Sequence, residues 1–227
     1  MDSVVLSLGG SVIVNTTGVA DYLKKLARVL VDVSANHKLF VVTGGGRIAR
    51  FYINCGRELG SDEVSLDEMG IEVTRLNARL LIAALGDGAN QDVPEDYDEA
   101  FRAGKKHSIV VMGGVSPGIT TDAVSSFLAE RVKAERVVNA TAVDGAYTAD
   151  PKKYPNAKKI PRMSHGDLVA LVSGDHSRAG PHGVFDSAGA KALEKSGIPL
   201  FIVDGTNLKN LRNAIEGKKF NGTIVDG

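Results

Sequence analysis

The segment Val110–Ala123, with the sequence VVMGGVSPGITTDA, has the residue types of a phosphate-binding junction. A short apolar run ends in two glycines, and Thr120, Thr121 and Asp122 follow at the head of an amphipathic pattern. A strand, glycine loop and helix start of this kind offers free backbone N–H groups, hydroxyls and the positive end of a helix dipole. Ordinary strand-to-helix turns share this residue order, so the interpretation depends on finding other such loops.

Three further loops follow apolar runs, at Gly9–Ser11, at Gly44–Gly46 and at the polar segment that begins with Thr141. Consecutive glycines allow a ligand to approach the backbone closely. Arg50 follows the second loop by one helical turn, so its guanidinium can point back and hold phosphate oxygens in a fork. Asp67 is expected in the first turn of the next helix, where it can complement the helix dipole.

Strands and helices alternate along the chain, and these elements would position the four loops. The predicted strands are Ser3–Leu8, Leu39–Thr43, Asp92–Val93, Ser108–Met112, Arg136–Asn139, Pro199–Val203 and Thr223–Val225. The predicted helices include Ser65–Leu85, Glu95–Gly104, Ser164–Val172, Val184–Ser196 and Leu208–Glu216. Continuous apolar strands predict a mostly parallel sheet with helices on both faces, an α/β sandwich. Ligands of such sheets lie at the carboxyl ends of the strands, where all four loops fall.

The composition excludes several classes of protein. The chain has 227 residues, which suits one large domain or two small ones, and 27 basic against 27 acidic residues. This balance does not predict a nucleic-acid or membrane-surface partner. The single cysteine, Cys55, precludes an intrachain disulfide, and no signal peptide or membrane span is evident, so we expect a cytoplasmic protein. The five histidines show no metal-ligand spacing, which predicts no structural zinc site.

The remaining motifs narrow the chemistry. The chain contains no GxxxxGK[ST] motif and no GxGxxG after the first strand, which argues against a P-loop enzyme and a Rossmann dinucleotide site. Several separate glycine loops indicate a long ligand or two ligands. Two phosphorylated ligands that meet head to head have the geometry of phosphoryl transfer, which needs positioning and charge neutralisation more than covalent groups.

Four motifs in their order along the chain resemble the amino acid kinase superfamily. They are Gly9–Ser11, Gly44–Gly46 with Arg50, Gly113–Asp122, and the Asp144–Lys152 run DGAYTADPK. Within that superfamily, GGVSPGITTDAVSSFLAE and DGAYTADPKKYPNAKKI are similar to the uridylate (UMP) kinases of the short archaeal branch. The resemblance covers essentially the whole chain.

The resemblance implies a three-layer αβα sandwich with a mainly parallel sheet. It implies a single domain, residues 1–227, whose N-terminal part mainly binds UMP and whose C-terminal part mainly binds ATP. The implied reaction is ATP + UMP to ADP + UDP with Mg²⁺, in pyrimidine nucleotide biosynthesis. It also suggests a homo-oligomer, a hexamer built as a trimer of dimers.

The resemblance further assigns residues to each substrate. The implied UMP-binding residues are Gly44, Asp67, Val115, Ser116, Pro117, Gly118, Ile119, Thr120 and Thr121, with Asp67 at the ribose hydroxyls. The implied ATP-binding residues are Ser7, Leu8, Gly9, Gly10, Ser11, Gly45, Arg50, Thr141, Ala142, Tyr147 and Asp150, with Tyr147 beside the base. The implied catalytic residues are Asp122, which would orient cations, Arg50 and Lys152.

Two positions depart from the superfamily pattern. Many members have a lysine two residues before the first glycine pair, where this chain has Ser7, so the cation must come from Lys152, Arg50 or the metal. An asparagine usually follows the threonine at position 141, where this chain has Ala142. Loss of one hydrogen bond there costs about 1 kcal/mol, which would alter ATP affinity without changing the kind of site.

Two alternatives stay open from the sequence. One is another phosphotransferase of the superfamily, acting on a carboxylate, a carbamate or isopentenyl phosphate; a prenyl pocket would need more apolar residues near Gly113–Thr121. The other is a non-catalytic nucleotide-binding or storage protein on the same fold, which the absence of a lysine at Ser7 favours.

Overall fold

The computed structural model of the chain describes residues 1–14, 18–149, 151, 153–173 and 184–227. The strands are β1 Asp2–Leu8, β2 His37–Thr43, β3 Ile109–Met112, β4 Arg136–Thr141, β5 Ala146–Tyr147, β6 Lys159–Ile160, β7 Arg162–Met163, β8 Leu200–Asp204 and β9 Gly222–Val225. The helices are α1 Gly10–Ile13, α2 Val19–Ser34, α3 Gly46–Glu58, α4 Glu63–Leu85, α5 Tyr97–Ala103, α6 Thr121–Val132, α7 His165–Ser173, α8 Ser187–Ser196 and α9 Leu208–Ile215. A 3₁₀ turn, Gly86–Gly88, follows α4.

The central sheet has seven strands in the order β3-β2-β1-β4-β8-β9-β7. The β8–β9 pair is antiparallel and the other neighbouring pairs are parallel. Strands β5 and β6 form a separate antiparallel pair. The mainly parallel sheet that the sequence predicts is therefore confirmed.

Helices cover both faces of this sheet because its central strands are apolar on both sides. Val4, Leu6 and Leu8 of β1 belong to the core under α2, α4 and α9, whereas Val5 belongs to the core under α6 and α8. This alternation is the period-two geometry of a strand. It confirms the three-layer αβα architecture, and it places Ser7, two residues after Val5, on the α6 side.

Side-chain caps set several helix starts. Asp62 accepts a hydrogen bond from the Ser65 backbone at 2.9 Å, so α4 begins two residues earlier than predicted. Asp67 therefore lies in the second turn, and its expected place in the first turn is wrong. Asp186 caps α8 by accepting from the Gly189 backbone at 2.9 Å, so the helix predicted from Val184 begins at Ser187.

The strand predicted at Asp92–Val93 is also wrong. The Asn90 side chain accepts from the Val111 backbone at 2.6 Å and donates to its carbonyl at 2.9 Å. An amide side chain thus takes the place of a strand backbone beside β3, leaving a single bridge between Ala89 and Ile109.

Among the described residues, no helix combines the length and the apolar character that a membrane span requires.

Candidate active site

The order of the strands brings the four predicted loops together. Strands β3, β2, β1 and β4 are consecutive in the sheet, and a loop leaves the carboxyl end of each. The Gly9 backbone donates to the Ala140 carbonyl at 3.0 Å, and the Gly44 backbone donates to the Leu8 carbonyl at 2.9 Å. The chain changes direction across the sheet between β1 and β4, which is where open α/β sheets bind ligands.

The first two glycine loops are in direct backbone contact. A Cβ atom at Gly10 would lie 2.2 Å from the Gly46 nitrogen and 2.6 Å from the Gly44 carbonyl oxygen. Gly46 itself has φ of +62°, the left-handed region that favours glycine. These glycines therefore allow two backbones to pack where side chains would keep them apart.

A cavity of about 400 Å³ opens beside these loops, between α3, α4 and the segment that follows β3. Its lining residues are Gly45, Gly46, Ala49, Arg50, Asp67, Gly70, Ile71, Thr74, Gly114, Ser116, Gly118, Ile119, Thr120 and Thr121. Arg50 is exposed along its helix and contributes the cation of this lining. The N-terminus of α6, capped by Thr120, adds the positive end of a helix dipole.

Helix α4 supplies one wall of the cavity through residues at helical spacing. Asp67, Gly70, Ile71 and Thr74 recur at intervals of three and four, so they share one face of the helix. Asp67 Oδ2 accepts from the Gly118 backbone at 2.7 Å, and Thr74 Oγ1 accepts from the Gly114 backbone at 2.6 Å. The sequence prediction included Asp67 and missed the other three, although the same spacing would have identified them.

Asp122 and Ser7 form a hydrogen-bonded pair at the centre of the loop cluster. The Ser7 hydroxyl donates to Asp122 Oδ1 at 2.9 Å, and Ser7 is almost fully buried. Burial raises the pKa of Asp122 to about 6; the Ser7 hydrogen bond lowers it and the nearby Asp186 carboxylate raises it. Ser7 thus gives Asp122 a neutral partner where a lysine would give it a charged one.

On the other side of β4, polar contacts organise the segment after Thr141. Asp144 accepts from the Tyr147 hydroxyl at 2.6 Å and from the Lys159 ammonium at 2.9 Å, and Lys159 also donates to Asn221 at 2.8 Å. The Tyr147 hydrogen bond is the main reason that the pKa of Asp144 is lowered. The same contact raises the pKa of Tyr147. This network fixes the aromatic ring at the edge of the loop.

The structure places some of the predicted residues in the lining of the cavity and others outside it. Eight of them line the cavity: Gly45, Arg50, Asp67, Ser116, Gly118, Ile119, Thr120 and Thr121, whereas Gly44 lies outside the lining and next to Gly45. Val115 and Pro117 are outside the lining, and Val115 packs against the core. Leu8 is fully buried, whereas Ser11 and Ala142 are exposed. Asp150 and Lys152 lie outside the described residues.

Comparison with known proteins identifies the family. The model of a family described as the amino acid kinase family matches residues 2–204. The chain belongs to the amino acid kinase family. Its match covers the strands β1–β4 and β8 and every glycine loop of the site.

Relatives within the amino acid kinase family match over nearly the whole chain. A uridylate kinase of Methanoregula boonei is 47% identical over 99% of this chain and 96% of that protein. A uridylate kinase of Methanoculleus marisnigri is 46% identical with the same coverage. The crystal structure of a uridylate kinase from Archaeoglobus fulgidus is 43% identical with a TM-score of 0.88, covering 99% of this chain and 100% of that one.

Proposed function

We propose that this chain is a UMP kinase that reversibly transfers the γ-phosphoryl group of ATP to UMP, giving UDP and ADP for pyrimidine nucleotide biosynthesis. The observation that carries the proposal is the cavity beside the glycine loops, which holds Arg50 and Asp67 in a chain that is similar to uridylate kinases over its full length. The acceptor in this reaction is a nucleotide phosphate, and the enzyme is a nucleoside monophosphate kinase.

The cavity is the proposed UMP site. The hydrogen bond from the Gly118 backbone orients the Asp67 carboxylate, and its second oxygen remains available to a ribose hydroxyl. Arg50 and the N-terminus of α6 supply positive charge for the UMP phosphate. Gly44 and the segment 115–121 complete the proposed set around the nucleotide.

The crevice between β1 and β4 is the proposed ATP site. The Gly9–Ser11 loop, with Ser7 and Leu8 before it, would surround the phosphates together with Gly45 and Arg50. Thr141, Ala142 and Tyr147 would take the adenosine end, where Asp144 holds the Tyr147 hydroxyl. Asp150 and Lys152, which lie outside the described residues, remain proposals from the resemblance.

The chemistry requires no general base in this site. At neutral pH the UMP phosphate is largely dianionic, since its second pKa is about 6. One of its oxygens attacks the γ-phosphorus of ATP, the bond from that phosphorus to the bridging oxygen breaks, and ADP leaves with the electron pair. The residues here align the two phosphates and neutralise charge that spreads over the transferred group, which is most of the catalysis in such reactions.

A Mg²⁺ ion bound with ATP fits the residues at the centre. Such ions take one or two protein carboxylates together with water and substrate phosphates. Asp122 is a carboxylate that has a hydrogen bond from a neutral hydroxyl but no cationic partner in the described ranges, and burial of its charge raises its pKa. We therefore propose that Asp122 holds this ion, which would polarise the phosphoryl group and neutralise developing charge.

Initial rates of ADP release test the proposed substrate. The purified chain, with ATP and Mg²⁺, would be assayed with UMP beside CMP, dUMP, carbamate, acetylglutamate and isopentenyl phosphate. We expect turnover with UMP to exceed that with each of the others. Faster turnover with isopentenyl phosphate or a carboxylate would show that this compound, and not UMP, is the phosphoryl acceptor. Nucleotide binding without ADP release would support the storage alternative.

We also propose a single domain that assembles into a cytoplasmic homo-oligomer, a hexamer built as a trimer of dimers. Support comes from exposed apolar side chains on α3, on α4 and just after α3: Phe51, Leu76 and Leu59 are 62%, 56% and 85% exposed. Large exposed apolar patches mark interaction sites. Sedimentation velocity should find an assembly larger than one chain, and a monomer at micromolar concentration would contradict this.

A further inference from the structure

We propose that Asp2, His37 and Glu135 bind a divalent transition-metal ion at the amino-terminal ends of the central strands, on the opposite side of the sheet from the active site, which lies at their carboxyl ends. Asp2 and His37 begin β1 and β2, and Glu135 immediately precedes β4. One ligand atom from each of the three side chains lies within 4.8 Å of the others. Ligands at 2.0–2.2 Å from a tetrahedral ion are separated by roughly 3.4 Å, so small rotations of the exposed Asp2 and Glu135 side chains would complete the geometry.

The backbone holds these three positions together independently of any ion. Asp2 and His37 are paired directly in the β1–β2 register. The Glu135 backbone donates to the Ser3 carbonyl at 2.8 Å, which fixes Glu135 against the other side of β1. The ligands therefore stand on three adjacent strand starts, and binding requires side-chain movement alone.

His37 carries an observation that points to a ligand. Its Nδ1 atom is buried and has no hydrogen-bond partner among the described residues. An unsatisfied buried polar atom is costly, and native proteins leave few of them. A cation held by His37 and the two carboxylates would give the imidazole ring a partner, and the carboxylates would balance the charge.

The donor set selects the class of metal. An imidazole with two carboxylates suits Zn²⁺, Mn²⁺ or Co²⁺, whereas Mg²⁺ prefers oxygen ligands alone. The Arg136 guanidinium forms an ion pair with Glu135 Oε1 at 2.8 Å and leaves the second carboxylate oxygen available. A residue that contacts a ligating carboxylate without touching the metal orients that carboxylate. The three ligands are far apart in sequence, which is why histidine spacing did not indicate them.

Zinc titration of the untagged, metal-free full chain by isothermal calorimetry, without nucleotide, tests this site. We expect one Zn²⁺ per chain, and an unfolding midpoint that rises by about 5–10 °C at a hundredfold excess over Kd. His37→Gln should weaken binding by more than about 100-fold. Replacing a residue that contacts only a metal ligand, and not the metal, typically costs less than this. The matched control is His107→Gln, another half-buried histidine, which should bind as the unaltered chain does.

A second variant separates loss of the site from loss of the fold. Asp2→Asn changes an exposed side chain at the start of β1, so it should keep the unfolding midpoint of the metal-free chain and still weaken Zn²⁺ binding. Asp122→Asn should leave this binding unchanged because Asp122 lies near the carboxyl ends of the strands. No zinc binding, binding that survives both His37→Gln and Asp2→Asn, or binding that Asp122→Asn abolishes would overturn the proposal.

Discussion

Replacing Gly10 with alanine would place a Cβ atom 2.2 Å from the Gly46 nitrogen and 2.5 Å from the Gly45 carbonyl carbon. Ordinary contacts of a Cβ atom begin at 3.4 Å, so the two glycine loops would have to separate by about 1.2 Å, the difference between 3.4 and 2.2. Backbone atoms cannot rotate away as a flexible side chain can. The whole displacement must therefore be taken up by the loops that would hold the transferred phosphoryl group.

Two costs follow from this displacement. Overpacking of a well-packed interior costs about 1–3 kcal/mol of unfolding free energy. A misplacement of about 1 Å in a positioning site can reduce the rate about 100-fold. We therefore expect kcat/KM for UMP, measured by coupled ADP release, to fall about 100-fold in Gly10→Ala, while urea unfolding still shows a folded protein of lower stability.

Gly166→Ala is the matched control for Gly10→Ala. Gly166 lies in the first turn of α7, where an added Cβ has its nearest neighbour at 3.6 Å and no positive φ is required. Alanine there should leave the rate unchanged and raise stability by about 0.5–1 kcal/mol. A Gly10→Ala protein with the kinetics of the unaltered chain would refute the argument that the loop contact positions the reaction.

The remaining predictions concern side chains of the site. Arg50→Ala should reduce kcat/KM by about 10- to 100-fold through loss of a charged hydrogen bond. Arg47→Ala is the control, because Arg47 is exposed on the same helix but lies outside the cavity lining, and it should leave kcat/KM unchanged. Equal effects of the two substitutions would show that Arg50 does not contact the substrates. Asp67→Asn keeps an acceptor for the Gly118 backbone but loses its charge, so the preference for UMP over dUMP should fall about tenfold, and unaltered preference would remove Asp67 from the ribose. Asp122→Asn should lower kcat far more than it weakens UMP binding, and equal losses would exclude a transition-state role. Because the folded pKa of Asp122, about 6, is above its ordinary 3.8, the folded state holds this proton more tightly than the unfolded state. Stability relative to Asp122→Asn should therefore fall as pH rises from 4 to 6 and stay level above 6, and urea unfolding without nucleotide that shows a pH-independent difference would contradict the raised pKa.

The fold could be read from the sequence because its main signals are local. Continuous apolar runs identified β1 to β4, and turn chemistry identified the loops that leave them. The strand predicted at Asp92–Val93 failed because the Asn90 side chain takes its hydrogen bonds, a tertiary contact that residue type does not reveal. Strands β5, β6 and β7 have two residues each, too few for any periodic pattern.

The loops of the site could be predicted from the sequence, but the contacts between residues that are distant in sequence could not. Glycine runs predicted that backbones come close at these loops, but the contact between Gly10 and Gly46 depends on which strands are neighbours in the sheet. The Ser7–Asp122 hydrogen bond joins residues 115 positions apart, and the sequence indicated only that Ser7 departs from the family pattern. The link of Lys159 to Asp144 likewise requires the fold, since a run of lysines reads equally well as a solvated loop.

Direct identification of the phosphorylated product tests the central claim, that the cavity presents UMP to the γ-phosphoryl group of ATP. The full chain would be incubated with ATP labelled in its γ-phosphoryl group, UMP and Mg²⁺, and the nucleotides would be separated. The account predicts label in UDP in amounts equal to the ADP formed, and about 100-fold slower labelling with Gly10→Ala. Label released as free phosphate, or label on UDP at an unchanged rate in Gly10→Ala and Arg50→Ala together, would contradict it.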